Sequence, residues 1–321
     1  MSGDFRSYYE AEVRPVLAAL EERRRRAGRA WSMVAGAIAL LTGTAAAVAA
    51  ALSSWGFAIG AVILGAICLL GGWHLLFRSI IRRAKVAIIG ALARFIDPSL
   101  RYEPDRYITK AEFRQSGLFR DSINRYRGED LFWGRVGSTG IRFSEVHAQH
   151  RQSSAGSKGT HTTYRTIFKG LFIIADFNKH FRGMTVVLPD VAERTLGWFG
   201  QKLQDTFDVF RRGELVKLED PEFEREFVVY GDDQVEARYI LTPALMQRLV
   251  EFKRKAGRQV YFSFALSNVY IAIETDKDMF EPRMFRSFLH EEVVLEHLRD
   301  LQFATSVVKD LDLNTRIWSK E

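Results

Sequence analysis

Residues 31–77 contain no Asp, Glu, Lys or Arg, and a short Ser53-Ser54-Trp55-Gly56 break divides them into two apolar runs, 31–52 and 55–77. The runs are 22 and 23 residues long. At about 1.5 Å per helical residue each reaches roughly 33 Å, enough to cross a hydrocarbon core of about 30 Å. With so short a break, the pair reads as a two-span helical hairpin. Everything else in the chain is then expected to work beside a membrane.

Charge predicts the orientation. The sequence Glu21-Glu22-Arg23-Arg24-Arg25-Arg26-Ala27-Gly28-Arg29 precedes the hairpin, and Arg78, Arg82, Arg83, Lys85 and Arg94 follow it with no acid before Asp97. The break itself is uncharged. By the positive-inside tendency both flanks stay in the cytoplasm and only residues 53–56 emerge on the far side. A cleavable signal peptide fits poorly, because the apolar run starts about 30 residues in and a second one follows at once.

The formal charge of +7 is local to this region. Residues 1–30 hold seven Arg against five acids, residues 78–96 five cations against none, and residues 97–321 balance at 34 of each sign. A pI near 9.5 therefore gives no reason to invoke nucleic acid. The surplus lies where cations meet anionic headgroups at roughly 1 kcal/mol each. Arg23, Arg24, Arg25, Arg26, Arg29, Arg78, Arg82, Arg83 and Lys85 are the predicted membrane-surface contacts, with membrane lipids as the first partner.

Periodicity divides the chain into an amphipathic N-terminal helix (1–30), the hairpin (31–77), a basic juxtamembrane helix (78–97) and a cytoplasmic domain (98–321). In the first segment Tyr9, Val13, Val16, Leu17 and Leu20 share a side, interrupted by Pro15. In the first span Ala35, Ala39, Gly43, Ala47 and Ala51 recur every four residues, the small-residue pattern that lets helices approach closely. Either an intrachain seam or an oligomer seam would use it. His74 reads as an interfacial residue.

The cytoplasmic part switches between periods. Thr109 and Glu112 have capping-box spacing for a helix over 109–115. Alternation predicts strands at 131–136 and 139–149 about a Gly137-Ser138 turn, then a polar loop at 151–160. Further strands are expected at 164–168, 171–177 and 184–188, with turns at Lys169-Gly170 and Arg182-Gly183. Pro189-Asp190 opens a predicted helix to about 204, and strands follow at 214–218 and 226–230. Thr242-Pro243 starts a helix that Gly257 ends. A hairpin about Ser267-Asn268 and a helix over 291–310 complete the chain. Strand clusters separated by single helices predict an α+β fold with a largely antiparallel sheet flanked by helices.

The sequence Gly137-x-x-Gly140-Ile-x-Phe-Ser-Glu-Val, the stretches Phe168-Lys-Gly170-Leu-Phe172 and Asp176-Phe177-Asn-Lys-x-Phe181-x-Gly183, and the run from Phe227 through Tyr230 and Arg238 to Thr242-Pro resemble a bacterial membrane-anchored family, domain of unknown function 3137. Val269-Tyr-Ile-Ala-Ile273 does too. The resemblance spans most of the chain, hairpin included. It implies architecture and a bacterial inner-membrane setting, multi-pass with the soluble domain facing the cytoplasm. Its motifs are packing and turn residues, so it carries over no catalytic positions.

Candidate chemistry is thin. Tyr230-Gly231-Asp232-Asp233 has the form of a carboxylate turn that holds metals in some polymerases, but no second acidic motif accompanies it, and a solvated turn accounts for it better. His147, His150 and His161 flank the polar loop, yet strand alternation sends His147 and His150 to opposite faces. Gly156-Ser-Lys158-Gly-Thr160 lacks the spacing of a phosphate loop. The sole cysteine, Cys68, lies in the second span, and His290, Glu291, Glu292 and His297 suit a solvated helix face. No catalytic residue, cofactor or metal is predicted. The expectation is a membrane-anchored binding or scaffold protein with a protein partner or a second copy of itself. The alternatives are a tethered enzyme whose site is assembled from distant residues, or a headgroup sensor.

Overall fold

The computed structural model describes residues 3–156, 159–177, 179–190, 213–281 and 291–314. They divide into two compact units, Met1–Ala91 with Glu281–Glu296 and Leu92–Phe280 with His297–Glu321.

In the first unit α1 (Gly3–Tyr8), a π-helical turn (Tyr9–Val13) and α2 (Arg14–Ala51) run on without a break. Pro15 does not interrupt the helix: it follows directly on the π turn, whose last bond runs from the Arg14 amide to the Tyr9 carbonyl. The wider π turn just before it absorbs the change of register. Phe5, Tyr9, Val13, Leu17 and Leu20 are buried, confirming the amphipathic stripe, whereas Val16 is exposed.

Helix α3 (Trp55–Ile96) returns antiparallel. A side chain at Gly65 would meet Thr42, one at Gly72 would meet Trp31, and the Tyr8 hydroxyl donates to the Ala91 carbonyl at 3.0 Å. The seam on α2 therefore runs through Trp31, Ala35, Ile38, Thr42, Ala46 and Ala49, all partly buried. The stripe expected at every fourth residue does not form it, since Ala39, Gly43, Ala47 and Ala51 are exposed. A spacing of four turns about 40° per step on a 3.6-residue helix, so it drifts off the face that a 3.5-residue spacing keeps. Helices Phe5–Ala51 and Trp55–Ile96 are long and apolar enough to cross a membrane. Their large side chains face outward: Phe57 is 80%, Leu75 75% and Met33 72% exposed.

The second unit is α+β. Its nine described strands are β1 (Arg101–Glu103), β2 (Arg125–Val136), β3 (Thr139–Gly156), β4 (Gly159–Asp176), β5 (Thr185–Pro189), β6 (Glu214–Leu215), β7 (Phe227–Gly231), β8 (Val260–Ala265) and β9 (Asn268–Glu274). They form one sheet ordered β1-β2-β3-β4-β9-β8-β5-β7-β6, antiparallel at every described pairing. On one face Phe113, Phe119, Phe168, Phe172 and Tyr261 anchor a core, with Phe113 brought in by α4 (Lys110–Gln115) through the predicted Thr109–Glu112 capping box. On the other, Phe262 meets Phe252 of α7 (Pro243–Ala256), which stacks on Phe303 of α8 (Glu291–Asp310).

Thr242 caps α7 and Gly257, at φ 61°, ends it, as the sequence predicts. The β8–β9 turn is Leu266-Ser267, one residue earlier than expected, with φ of 53° and 55°. Two short helices escape the sequence reading, α5 (Pro221–Glu226) and α6 (Gln234–Ile240), capped by Asp220 and Asp233. The helix expected after Pro189-Asp190 lies outside the described residues.

Two expected breaks are absent. The described residues of the polar stretch 151–160 are strand, not loop: β3 and β4 pair through Ser153↔Thr162 to Gly156↔Gly159, where cross-strand Ser and Thr pairs support the ladder. Lys169-Gly170 is no turn, and β4 runs straight through it. Gly170 takes φ 152°, and a Cβ there would lie 2.1 Å from the Ile273 carbonyl oxygen. The glycine admits a close backbone, not a reversal.

Candidate binding cleft

The register of β2, β3 and β4 sets charged side chains in rows. Arg127 lies opposite His147, and His147 opposite Lys169. Two residues along, Glu129 lies opposite Glu145 and Glu145 opposite Leu171. Residues two apart on a strand share a face, so a cationic row stands beside a carboxylate row. The β2 ladder then shifts register past Glu129. At the shift Asp130 takes φ 61° and is buried, accepting from the Tyr102 hydroxyl at 2.5 Å, while its amide donates to the Pro104 carbonyl. This bulge turns the β2 edge and lets the rows open into a cleft of about 530 Å³. The stretch after β9, Thr275 to Asp278, closes its other side.

Lys169 Nζ donates to the Asp276 carbonyl at 3.0 Å and pairs loosely with Asp278 at 3.4 Å. His147 Nε2 lies 3.1 Å from the Thr166 hydroxyl. Burial, then the charges of Lys169, Arg125 and Arg127, holds the imidazole below its ordinary pKa. Glu145 moves the opposite way. Burial and the nearby Asp130, Glu129 and Asp278 push it up to about 7, against the Met279 amide that donates to its Oε1. A carboxyl raised to about 7 and an imidazole held below its ordinary pKa thus stand on adjacent positions of one strand face.

The other expected sites resolve into structural roles. Asp233 caps α6 by accepting from the Val235 and Glu236 amides, and Asp232 accepts from the Met184 amide at 2.9 Å. His150 Nδ1 lies 2.8 Å from the Ser122 carbonyl oxygen, and the His161 side chain lies outside the described residues, as does His290. His297 is buried with Nδ1 against the Met279 carbonyl, not on a solvated face. Among the described residues no group of three His, Cys, Asp or Glu side chains could hold a metal ion.

The nine cations predicted to touch headgroups are not equivalent. Arg24 and Arg25 both donate to Glu21, which is 3% exposed, and Arg26 pairs with Glu22. Lys85 is 6% exposed and pairs with Glu281 at 3.1 Å. Arg23, Arg29, Arg78, Arg82 and Arg83 are exposed.

Residues 166–313 match the model of a family described as "Protein of unknown function (DUF3137)". The match runs from within β4 to just beyond α8. No curated protein and no solved structure matches the chain. The cleft straddles the family boundary: Lys169 and Asp278 lie inside it, Arg127, Glu129, Glu145 and His147 before it.

Proposed function

We propose that the protein is a membrane-anchored docking or scaffold protein of the bacterial inner membrane. Its apolar helices cross as a two-span hairpin with both flanks cytoplasmic, and its α+β domain presents a strand pair to a protein partner or to a second copy of the chain. The observation that carries this is an arm on the sheet. Strand β2 leaves β3 at Gln149, and β9 meets β4 only from Gly170. Residues 152–156 and 159–163 pair with each other alone among the described strands. A two-stranded polar ribbon is marginal by itself in water, and its outer edges offer unpaired backbone groups. An added strand would complete them, a recurring mode of protein recognition.

Deletion of residues 152–159 tests the reading. A chain that keeps its melting temperature but loses a stoichiometric co-purifying partner, or its self-association, supports docking through the arm. An arm-deleted chain with unchanged associations rejects it. Orientation is tested separately, by reporter fusions after Arg29 and at Glu321, both expected to behave as cytoplasmic. A tethered enzyme is the second reading, favoured by the Glu145–His147 pair in the cleft. It predicts that Glu145→Gln and His147→Gln abolish the cellular function while the arm proves dispensable.

A further inference from the structure

The cleft has a feature that a docking surface does not need. Directly opposed like charges destabilise a sheet, yet here Glu129 faces Glu145, beside a row in which Arg127 and Lys169 flank His147 from either side. Strands about 4.8 Å apart carry the Arg127–His147–Lys169 row, and the Glu129–Glu145 row lies roughly 7 Å further along them. The Arg127 side chain is exposed and has no hydrogen bond or ion pair among the described residues. The ion pair of Lys169 with Asp278 is long, and its partner is 60% exposed, so it is weak. The cavity of about 530 Å³ is of the size that takes a small ligand.

We propose that this cleft binds a small zwitterion, whose oxyanion sits on Arg127, His147 and Lys169 and whose ammonium group faces Glu129, Glu145 and Asp278. One molecule would then place opposite charge against each row. A simple anion would meet the carboxylates, and a simple cation would meet Arg127 and Lys169. Burial first, then the neighbouring Asp130, Glu129 and Asp278, raises the pKa of Glu145, so a ligand ammonium beside it would favour its ionised form. A lowered His147 leaves a neutral ring able to donate or accept beside the two permanent cations. The oxyanion can be a phosphate or a carboxylate.

Isothermal titration calorimetry on the full chain in uncharged detergent tests this. The probes are O-phosphoethanolamine and γ-aminobutyrate, with inorganic phosphate, propionate and ethylamine as single-charge controls. At least one zwitterion is expected to bind about tenfold or more tightly than every control. Which one binds identifies the oxyanion. Arg127→Ala removes a charge-assisted hydrogen-bond donor to the oxyanion and should weaken binding by about tenfold or more. Asp278→Asn should weaken zwitterion binding without weakening the response to phosphate or propionate. Both side chains are exposed, so both variants should fold. Deleting residues 152–159 should leave binding intact, which separates this site from the docking arm. The proposal is overturned if neither zwitterion binds at millimolar concentration, if phosphate alone binds as tightly as phosphoethanolamine, or if Arg127→Ala binds unchanged.

Discussion

The Met279 amide donates to Glu145 Oε1 at 2.7 Å, while the same carboxyl faces Glu129 straight across the β2–β3 ladder. One neighbour favours the ionised form and the other opposes it. Burial decides the balance, and the proton is held to about pH 7.

The consequence is a defined pH dependence. The unfolded chain loses this proton near 4.5 and the folded chain near 7. Below 4.5 the group's contribution to stability is fully present; it is lost as pH rises from 4.5 to 7 and is then constant. Glu145→Gln keeps an acceptor for Met279 but cannot ionise. It should match the wild type near pH 4 and exceed it at pH 8 by about 1–3 kcal/mol. Thermal unfolding in detergent at several pH values measures this, and a stability difference independent of pH would reject it.

Gly170→Ala tests the close passage of β4 against β9. The backbone sits at φ 152°, and the added methyl would meet the Ile273 carbonyl oxygen at 2.1 Å. Backbone strain and steric displacement together should cost about 2–4 kcal/mol. A variant that melts with the wild type would mean that β4 and β9 separate there at little cost.

Gly170 also shows where sequence reading stops. A Lys-Gly pair between two apolar runs has the chemistry of a turn, and only the neighbouring strand reveals that the glycine serves close approach. The apolar hairpin, the Thr109 and Thr242 caps, the Gly257 stop and the β8–β9 alternation were legible, because each signal lies within a few residues. Asp220-Pro221 is an equally local helix start and could have been read. The cleft could not. Glu129 meets Glu145 through a register that the Asp130 bulge interrupts, and Asp278 arrives on the stretch after β9, far along the chain. Nothing in the spacing of those residues encodes the meeting.

Ser263 offers a test of core polarity. It is 0% exposed in the middle of β8, and its hydroxyl has no hydrogen-bond partner among the described residues. A buried hydroxyl without a partner carries a desolvation cost with no return. Ser263→Ala should be neutral or stabilise by up to about 1 kcal/mol, read as a shift in melting temperature. A loss of more than about 1 kcal/mol would reveal an unseen partner for the hydroxyl.

Arg83 and Lys85 stand two residues apart on α3 in opposite surroundings, one exposed and the other 6% exposed beside Glu281. Lipid contact should therefore depend on Arg83 together with Arg23, Arg29 and Arg78, at roughly 1 kcal/mol each. Changing these four to Gln should lower the anionic lipid retained from mixed micelles and leave the melting temperature unchanged. Lys85 should behave as a packing residue. Lys85→Ala removes the buried stem beyond Cβ and should cost about 1–2 kcal/mol. Lys85→Met should recover most of that, because Glu281 is 55% exposed and water can solvate it once its partner is gone. Neither Lys85 variant should change lipid retention. If Lys85→Met released as much anionic lipid as Arg83→Gln, Lys85 would belong to the headgroup-binding cations after all, and its pairing with Glu281 would have to open in the membrane.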